Sequence, residues 1–294
     1  MNYYEQEPEF NTFTDLVVDI THKCNMTCAN CYIPNREIPD MDINTFKLFL
    51  DRLPGRITIR VIGAEPTMNP NCHLFIEEII SRGHRCVLLT NGLRLAHESY
   101  LLKLKQSGLK LVYISMNGVD NNEWYKEIDG LACADKKVKA LKNIIKQRLM
   151  VDTGTIIVRG VNEEAPGRMI HLLDDNSVDN CVVRIKNVGS IGDYIKNDPM
   201  TKVELIDRVS SQMNISSDFI TEYVHSNAQG LNSEPNTIIF PMNYKNTGRR
   251  GRWVKITDWS GDIPDAGSRR RGRITEDFKI APFFEHVKLN EGGY

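Results

Sequence analysis

Short apolar runs and amphipathic segments alternate along the first two thirds of the chain. Six runs have the length and composition of buried strands: residues 16–20, 57–62, 86–89, 109–115, 155–158 and 181–185. Helical patterns lie between them. Six strand–helix units in succession predict a parallel sheet with right-handed crossover connections. The order of the strands does not follow from this pattern, because a doubly wound sheet and a partial barrel both fit it.

The helix between the second and third predicted strands illustrates the local signals. Asn69 is a preferred N-cap residue, and Pro70 suits the first helical position. Gly83 is a typical residue to end a helix. These residues predict a helix that begins at Pro70 and stops at Gly83.

The alternation stops after about residue 200. The elements predicted there are a helix (202–213), two short strands (237–240 and 253–257), a turn with a returning segment (258–264) and a last helix (282–287). This change of pattern predicts an appendage of mixed helices and strands that follows the α/β part of the chain.

The composition is that of an ordinary soluble globule. Of 294 residues, 41% are hydrophobic and 26% are charged, and the formal net charge is −1. The near-neutral charge argues against a nucleic-acid partner, and the lack of a long apolar stretch argues against a membrane partner. Seven cysteines are an odd number, and the N-terminus does not resemble a signal peptide. We therefore expect a reduced, cytoplasmic protein without a disulfide framework.

A local excess of positive charge lies towards the C-terminus. Between Arg249 and Arg273 there are eight basic residues and three aspartates. Such an excess could favour a phosphate or carboxylate ligand, or it could be a solvated basic loop.

Three cysteines closely follow the first predicted strand. Cys24, Cys28 and Cys31 have the spacing C-x3-C-x2-C. They could bind zinc with His22 as a fourth ligand, or they could be unrelated buried thiols. Iron–sulfur clusters are normally held by four cysteines, so a set of three would leave one iron open for chemistry.

The cysteine spacing and the segment Gly63-Ala-Glu-Pro-Thr67 together resemble the radical S-adenosylmethionine (SAM) enzymes. The resemblance implies that Cys24, Cys28 and Cys31 hold one [4Fe–4S] cluster, whose open iron binds the amino and carboxylate groups of SAM. One electron from the cluster would then produce a 5′-deoxyadenosyl radical that abstracts a hydrogen atom from the substrate. The resemblance also implies an α/β fold, a partial (β/α)6 TIM-like barrel over residues 13–195. Sites in such barrels lie at the C-terminal ends of the strands.

Two segments at strand ends resemble SAM-binding parts of the family, and the resemblance implies that the first of them contacts the SAM amino group. The first follows the second strand, and the second, Thr90 and Asn91, follows the third strand as part of Thr-Asn-Gly. Asn-Gly is also a strong turn signal, and the two interpretations are compatible. The residues of the first segment are Gly63, Ala64, Glu65 and Pro66.

Three further residues are expected near the nucleoside part of SAM. Ser115 and Asn117 match the family's Ser-x-Asp-Gly segment near the ribose, with Asn117 in place of the usual Asp. Tyr32 follows the last cysteine, whereas the family often has an aromatic residue just before it. We expect Tyr32 beside the adenine.

Candidate catalytic residues carry less specific signals. Arg184 and Lys186 share one face of the sixth strand and could hold a substrate anion or the SAM carboxylate. Alternatively they are outward-facing charges or part of a structural ion pair. Cys133 and Cys181 are possible hydrogen-donor thiols, although both could equally be core residues.

The C-terminal part resembles, in outline, the SPASM or twitch extension of some radical SAM enzymes. The resemblance covers residues 252–288, but no cysteine lies beyond Cys181, and Asp265 stands where a cluster ligand is expected. We expect residues 196–294 to form a cap without an auxiliary cluster. The alternative is an unrelated α+β tail.

A single cluster favours redox-neutral chemistry of the lyase, isomerase or epimerase type. Dehydrogenation is an alternative, because the single cluster can be reduced again. The resemblance implies a small polar or anionic metabolite or a peptide as substrate, and an external electron donor such as flavodoxin or ferredoxin. The alternatives are an activating enzyme that installs a glycyl radical in a partner protein, and a zinc-binding module without catalytic activity.

Overall fold

The computed structural model describes residues 3–31, 33, 37–178, 180–188, 199–229, 236–242, 251–259 and 270–283. The chain forms two compact units whose segments interleave in sequence. The first unit comprises Met1–Asn25, Tyr32–Val112 and Pro264–Tyr294. The second unit comprises Met26–Cys31 and Tyr113–Ile263.

The described residues form ten strands and eight α-helices. The strands are β1 (Asp15–Asp19), β2 (Thr58–Ile62), β3 (Arg85–Thr90), β4 (Leu111–Ser115), β5 (Met150–Ile157), β6 (Cys181–Asn187), β7 (Thr237–Pro241), β8 (Arg252–Thr257), β9 (Arg271–Ile274) and β10 (Ile280–Pro282). The helices are α1 (Ile43–Asp51), α2 (Cys72–Ser81), α3 (Glu98–Gln106), α4 (Asn122–Asp129), α5 (Ala134–Lys146), α6 (Ala165–Asp175), α7 (Lys202–Met213) and α8 (Ser217–Ser226).

The sheet of the first unit has the strand order β10-β9-β1-β2-β3. All neighbours are parallel except β10, which runs antiparallel to β9. The short strand β9 comes from the C-terminal part of the chain and pairs with β1, where Leu16 lies opposite Gly272. No strand was predicted there, because the sequence Arg-Gly-Arg-Ile lacks a strand pattern.

The two faces of this sheet differ in polarity, as the alternation of side chains along a strand requires. On one face, residues such as Leu16 and Val61 are fully buried. That side of the core also holds Phe46 of α1 and Phe75 of α2, whose ring centroids are 5.1 Å apart. The other face carries charged residues in ion pairs, such as Arg273 with Asp19 at 2.7 Å.

The sheet of the second unit includes the strand order β5-β6-β8-β7. The strands β5, β6 and β8 are parallel, and β7 runs antiparallel to β8. The two predicted C-terminal strands thus pair with each other. The predicted returning segment at 262–264 and most of the predicted helix at 282–287 lie outside the described residues.

The predicted start of α2 is wrong by two residues. The N-cap is Asn71, and the helix begins at Cys72. The side chain of Asn69 instead donates a hydrogen bond to the Ile20 carbonyl at 2.7 Å and accepts one from the Asn71 N–H at 2.8 Å. A tertiary contact has therefore displaced the local capping interaction.

The predicted α/β class is confirmed, because helices alternate with mostly parallel strands from β1 to β6. Two helices, α4 and α8, were not predicted. The division into domains at residue 195 stays a prediction. None of the helices in the described ranges is long and apolar enough to cross a membrane.

Candidate active site

The cysteine motif lies in the loop that follows β1. Cys24, Cys28 and Cys31 form no disulfide and are of intermediate exposure. The other four cysteines are also free but buried. Partly exposed thiols in one loop are accessible to a ligand, so the exposure pattern separates this set from the core thiols.

The segment after β2 hydrogen-bonds to the residues directly before the first cysteine. The N–H of Ala64 donates to the Thr21 carbonyl, and the N–H of Glu65 donates to the Lys23 carbonyl, each at 3.0 Å. A Cβ atom on Gly63 would lie 2.3 Å from the Thr21 oxygen. Only glycine permits this close approach of the two backbones.

Glu65 is almost completely buried and accepts hydrogen bonds on both oxygens. Its Oε1 accepts from the Thr67 N–H at 3.1 Å, the Thr67 hydroxyl at 2.5 Å and the Thr90 hydroxyl at 2.6 Å. Its Oε2 accepts from the Asn91 N–H at 2.7 Å. Pro66 follows as the first residue of a short 3₁₀ turn, Pro66–Met68. The structure therefore brings together Glu65, Thr90 and Asn91, which were predicted from separate motifs.

The side chain of Asn91 reaches the cysteine loop. Its amide donates to the Asn25 side-chain oxygen at 2.8 Å and lies 4.0 Å from the sulfur of Cys24. Within the first unit, Asn91 therefore connects the end of β3 to Cys24, the first cysteine of the motif.

In the second unit the cysteine loop packs on the C-terminal end of α4. The N–H of Ala29 donates to the Ile128 carbonyl at 3.0 Å. The next residue, Asp129, is 1% exposed and lies beside Cys28. Burial, and then the neighbouring Asp129 carboxylate, raise the pKa of the Cys28 thiol well above its ordinary value.

Asn117 links Asp129 to the end of β5. Its side-chain N–H donates to the Asp129 carboxylate at 2.7 Å, and its side-chain oxygen accepts from the Ile156 N–H at 3.0 Å. The Asn117 carbonyl accepts from the amide of Asn162 at 2.8 Å. Much of the hydrogen-bonding capacity of Asn117 is thus used within the protein, and its contact with the ribose stays a prediction.

Ser115 lies at the end of β4, where its carbonyl accepts a hydrogen bond from Lys137 at 2.9 Å. The side chain of Lys137 is fully buried and lies over the ring of Tyr125. Tyr32, predicted beside the adenine, lies outside the described residues.

The remaining candidates lie on and near β6. Arg184 and Lys186 share the less buried face of the strand, as predicted, and Arg184 forms an ion pair with Asp152 at 2.7 Å. Cys133 and Cys181 are both buried, and burial raises the pKa of their thiols to about 11 and about 12. At neutral pH both are therefore protonated thiols, and a role as hydrogen donor stays a prediction.

Several residues near these motifs were not found by sequence reasoning. Asp129 and Lys137 lie on helices and gave no motif signal. Asn162 falls in Val-Asn-Glu-Glu, which we read as the entry to a helix. Its position in the loop that follows β5 was the available signal, because a buried Asn there can satisfy loop backbone groups such as the Val158 N–H and the Ile156 carbonyl.

The model of the radical SAM superfamily matches residues 18–173, just over half of the chain. This chain belongs to the radical SAM superfamily. Radical SAM enzymes use a [4Fe–4S] cluster and SAM, so the predicted cofactors and the predicted enzyme class are confirmed. Membership supports the enzyme hypothesis over a zinc-binding module.

Two curated relatives have different activities. The 7,8-dihydro-6-hydroxymethylpterin dimethyltransferase of Methanocaldococcus jannaschii is 28% identical over 171 residues, which are 54% of this chain and 33% of that protein. The GTP 3′,8-cyclase of Clostridium perfringens is 24% identical over 230 residues, which are 74% of this chain and 69% of that enzyme. The chain therefore spans a third of one relative and about two thirds of the other.

Among solved structures, the chain resembles Streptococcus suis SuiB bound to the precursor peptide SuiA. The TM-score is 0.66 with 14% identity, and the match covers 95% of this chain and 61% of SuiB. This likeness confirms the radical SAM type of TIM-barrel-like α/β fold.

The residues of the site fit the two cofactors. Three cysteines of one loop, none of them in a disulfide, supply the ligand type that iron–sulfur clusters require. The Oε2 atom of Glu65 accepts one hydrogen bond from the described residues and keeps a lone pair for an ammonium group. Among the residues that the structure describes, no group of three Cys, His, Asp or Glu side chains is arranged to hold a single metal ion.

Proposed function

We propose that this radical SAM enzyme holds one [4Fe–4S] cluster on Cys24, Cys28 and Cys31 and cleaves SAM reductively to abstract a substrate hydrogen atom. One observation carries the proposal. The segment with the buried Glu65 is hydrogen-bonded to the residues before Cys24, and Asn91 contacts both the Glu65 carboxylate and the Cys24 sulfur. The predicted SAM-binding motif and the first cluster cysteine thus belong to one hydrogen-bonded arrangement.

The residues of the chain have distinct roles in this proposal. Glu65, fixed by its donors, orients the amino group of SAM through Oε2. Gly63, Ala64 and Pro66 shape the backbone beside it, and Thr90 holds Oε1. When bound, the cluster and SAM supply a carbon radical that takes a hydrogen atom from the substrate.

On the nucleoside side, Ser115 and Asn117 are proposed to lie along the ribose and Tyr32 beside the adenine. The support for the first two is their position at the C-terminal end of β4, where barrel enzymes place ligand contacts.

The reaction is proposed to be redox-neutral, of the lyase, isomerase or epimerase type. The support is that no cysteine follows Cys181 in the sequence, so residues 196–294 offer no thiolate for an auxiliary cluster. Those residues are proposed to form a cap of the SPASM or twitch type. An external flavodoxin or ferredoxin would supply the electron. Seven free cysteines support a reducing, cytoplasmic location.

The substrate is proposed to be a small polar or anionic metabolite or a peptide. The name of the cyclase relative indicates that GTP is its substrate, and SuiB was crystallised with a precursor peptide. These two classes of substrate define the compounds with which screening should begin.

The test is anaerobic reconstitution with iron and sulfide, followed by dithionite and SAM, with 5′-deoxyadenosine measured by mass spectrometry. Cys28→Ala should lose the cluster absorbance and lower 5′-deoxyadenosine by about a hundredfold or more, because the cluster loses a ligand. Cys86→Ala is the matched control, since Cys86 is a buried thiol of β3, outside the motif. Undiminished SAM cleavage by Cys28→Ala, with the control also active, would refute the assignment.

A further inference from the structure

The less buried face of β6 and the residues of β5 and β8 beside it carry a set of charged residues that the proposed SAM chemistry does not use. Side chains alternate along β6, so Arg184 and Lys186 are half-buried while their neighbours on the other face are fully buried. The strand register places Arg184 beside Gly154 of β5 and Lys255 of β8. Asp152 lies on the same face of β5. We refer to Asp152, Arg184, Lys186 and Lys255 as the Lys186 face.

The charges of the Lys186 face do not balance. Arg184 and Lys186 are neighbouring cations on β6, and Asp152 is the acid that lies beside them. Asp152 is committed to Arg184 through an ion pair of 2.7 Å. Lys186 has neither a carboxylate nor a hydrogen-bond acceptor as partner among the described residues. A half-buried cation without a counter-charge is costly, and a ligand anion would remove that cost.

Arg184 also has unused hydrogen-bonding capacity. Its terminal nitrogen binds Asp152, but its Nε atom is buried and has no acceptor in the described part of the chain. Guanidinium groups commonly bind carboxylate or phosphate through two parallel donors. The unsatisfied Nε therefore points to the same kind of ligand as the unpaired ammonium of Lys186.

Two aromatic rings fix the position of the Lys186 ammonium. Its Nζ lies 5.5 Å from the ring centroid of Tyr113 and 5.9 Å from that of Trp259. The guanidinium carbon of Arg184 lies 5.2 Å from the same Tyr113 ring. Cation–π contacts stabilise a charge without neutralising it. The two cations are thus held in place and remain available to an anion.

Contacts with neighbouring residues hold the rings of Tyr113 and Trp259 near Lys186. A Cβ atom on Gly154 would lie 2.1 Å from the Tyr113 hydroxyl, so only glycine leaves room for that ring. The backbone N–H of Trp259 donates to the side-chain oxygen of Asn187 at 2.6 Å. This hydrogen bond fixes the backbone of the residue that carries the second ring. These contacts preorganise Lys186 and lower the entropy cost of binding a ligand.

We propose that the Lys186 face binds one anionic group, a phosphate or a carboxylate, of the substrate. Lys186 is the primary contact and Arg184 the second. That the anion belongs to a substrate rests on the proposed function. The binding of an anion does not rest on it, because binding requires no turnover. It narrows the substrate class to anionic compounds. Two sources share this chemistry, the substrate and the carboxylate of SAM, and the experiment must separate them.

The experiment measures binding to the anaerobically reconstituted enzyme by isothermal titration calorimetry, with pyrophosphate and malonate as phosphate and carboxylate probes. Lys186→Met removes the charge but keeps an unbranched side chain between the rings. The matched control is Lys142→Met, which removes the same charge from an exposed position on α5. Lys186→Met should weaken binding of at least one probe about tenfold or more, the effect of losing a charge-assisted hydrogen bond. Lys142→Met should change it less than about twofold.

A second variant gives an effect of opposite sign. Asp152→Asn keeps the shape of the side chain but removes the one negative charge of the Lys186 face. It frees Arg184 from its ion pair and should tighten probe binding by roughly threefold or more. Circular dichroism of each variant verifies that the fold is retained. Unchanged or weaker binding by folded Asp152→Asn would contradict the charge argument.

SAM affinity and 5′-deoxyadenosine formation separate the remaining outcomes. If Lys186→Met weakens probe binding but leaves the dissociation constant of SAM unchanged, the anion belongs to the substrate. If SAM affinity falls by the same factor, the site holds the SAM carboxylate and the proposal is overturned. The proposal also fails if the wild type binds neither probe or if Lys186→Met binds both normally. A wild type that binds a probe but never forms 5′-deoxyadenosine would refute the proposed function and not the anion site.

Discussion

Replacing Glu65 by Gln tests the hydrogen-bonding arrangement on which the proposed SAM site depends. The substitution keeps the size and shape of the side chain but exchanges one carboxylate oxygen for an NH2 group. Two backbone N–H groups need these oxygens, that of Thr67 on Oε1 and that of Asn91 on Oε2. In either orientation of the Gln amide, one of the two N–H groups faces another donor. The variant therefore cannot reproduce the wild-type bonds.

The expected loss of stability follows from these contacts. One backbone donor left without an acceptor costs about 1–3 kcal/mol, and the remaining bonds to Glu65 lose the benefit of a charged acceptor, about 1 kcal/mol each. With three remaining bonds, a total of roughly 4–6 kcal/mol follows, a large share of the stability of an ordinary domain. With an unfolding entropy of about 2.1 cal/mol/K per residue, the 294-residue chain should lose about 6–10 °C in Tm.

The assay is thermal unfolding of the cofactor-free protein, followed by circular dichroism, so that ligand binding does not contribute. Glu77→Gln is the matched control, because Glu77 is exposed on α2 and undergoes the same chemical change. The control should stay within about 0.5 kcal/mol of the wild type. If Glu65→Gln and Glu77→Gln unfold together with the wild type, the Glu65 carboxylate does not hold the strand ends as described.

Two further predictions concern other contacts. Gly154→Ala should lower the free energy of unfolding by about 1–3 kcal/mol in chemical denaturation, because a Cβ atom would overlap the Tyr113 hydroxyl and the ring must move. A variant as stable as the wild type would show that the ring adapts without strain. The hydrogen bond from Arg159 lowers the pKa of Glu204 from 4.5 to about 2, so its stabilising effect is present above pH 4.5 and is lost as the pH falls towards 2. Glu204→Gln should therefore be less stable than the wild type above pH 4.5, and the difference should shrink as the pH falls through about 2. A pH-independent difference between their unfolding midpoints would contradict the pKa shift.

Local elements were predicted well where the signal and the structure involve the same residues. The helix predicted at 202–213 is α7, with identical bounds. Thr201 and Glu204 form a capping box at its start, an interaction complete within four residues. The first strand was predicted for the same reason, because its apolar run is a property of five consecutive residues. The three cysteines of the cluster motif also lie close in sequence, and their role as cluster ligands stays a prediction.

Elements that depend on distant residues were not predicted. The four residues of β9 become a strand because they pair with β1, more than 250 residues earlier in the chain. Asn69 is of a residue type that favours the N-cap position, but its amide donates to a carbonyl 49 residues away. Asp129 gave no signal, because its importance comes from the Cys28 and Asn117 side chains that surround it. No local pattern contains information about such partners.

The sequence by itself determined the cysteine set, the strand–helix alternation and the family, because thiolate spacing and the periods of apolar residues are properties of short segments. The sequence left open which charged residues of β6 have an oppositely charged partner. Only the tertiary structure decided that Arg184 is paired with Asp152 while Lys186 lies between two rings without a described counter-charge. The physical reason is that the cost of a charge depends on its neighbours in space, and the fold alone determines those neighbours.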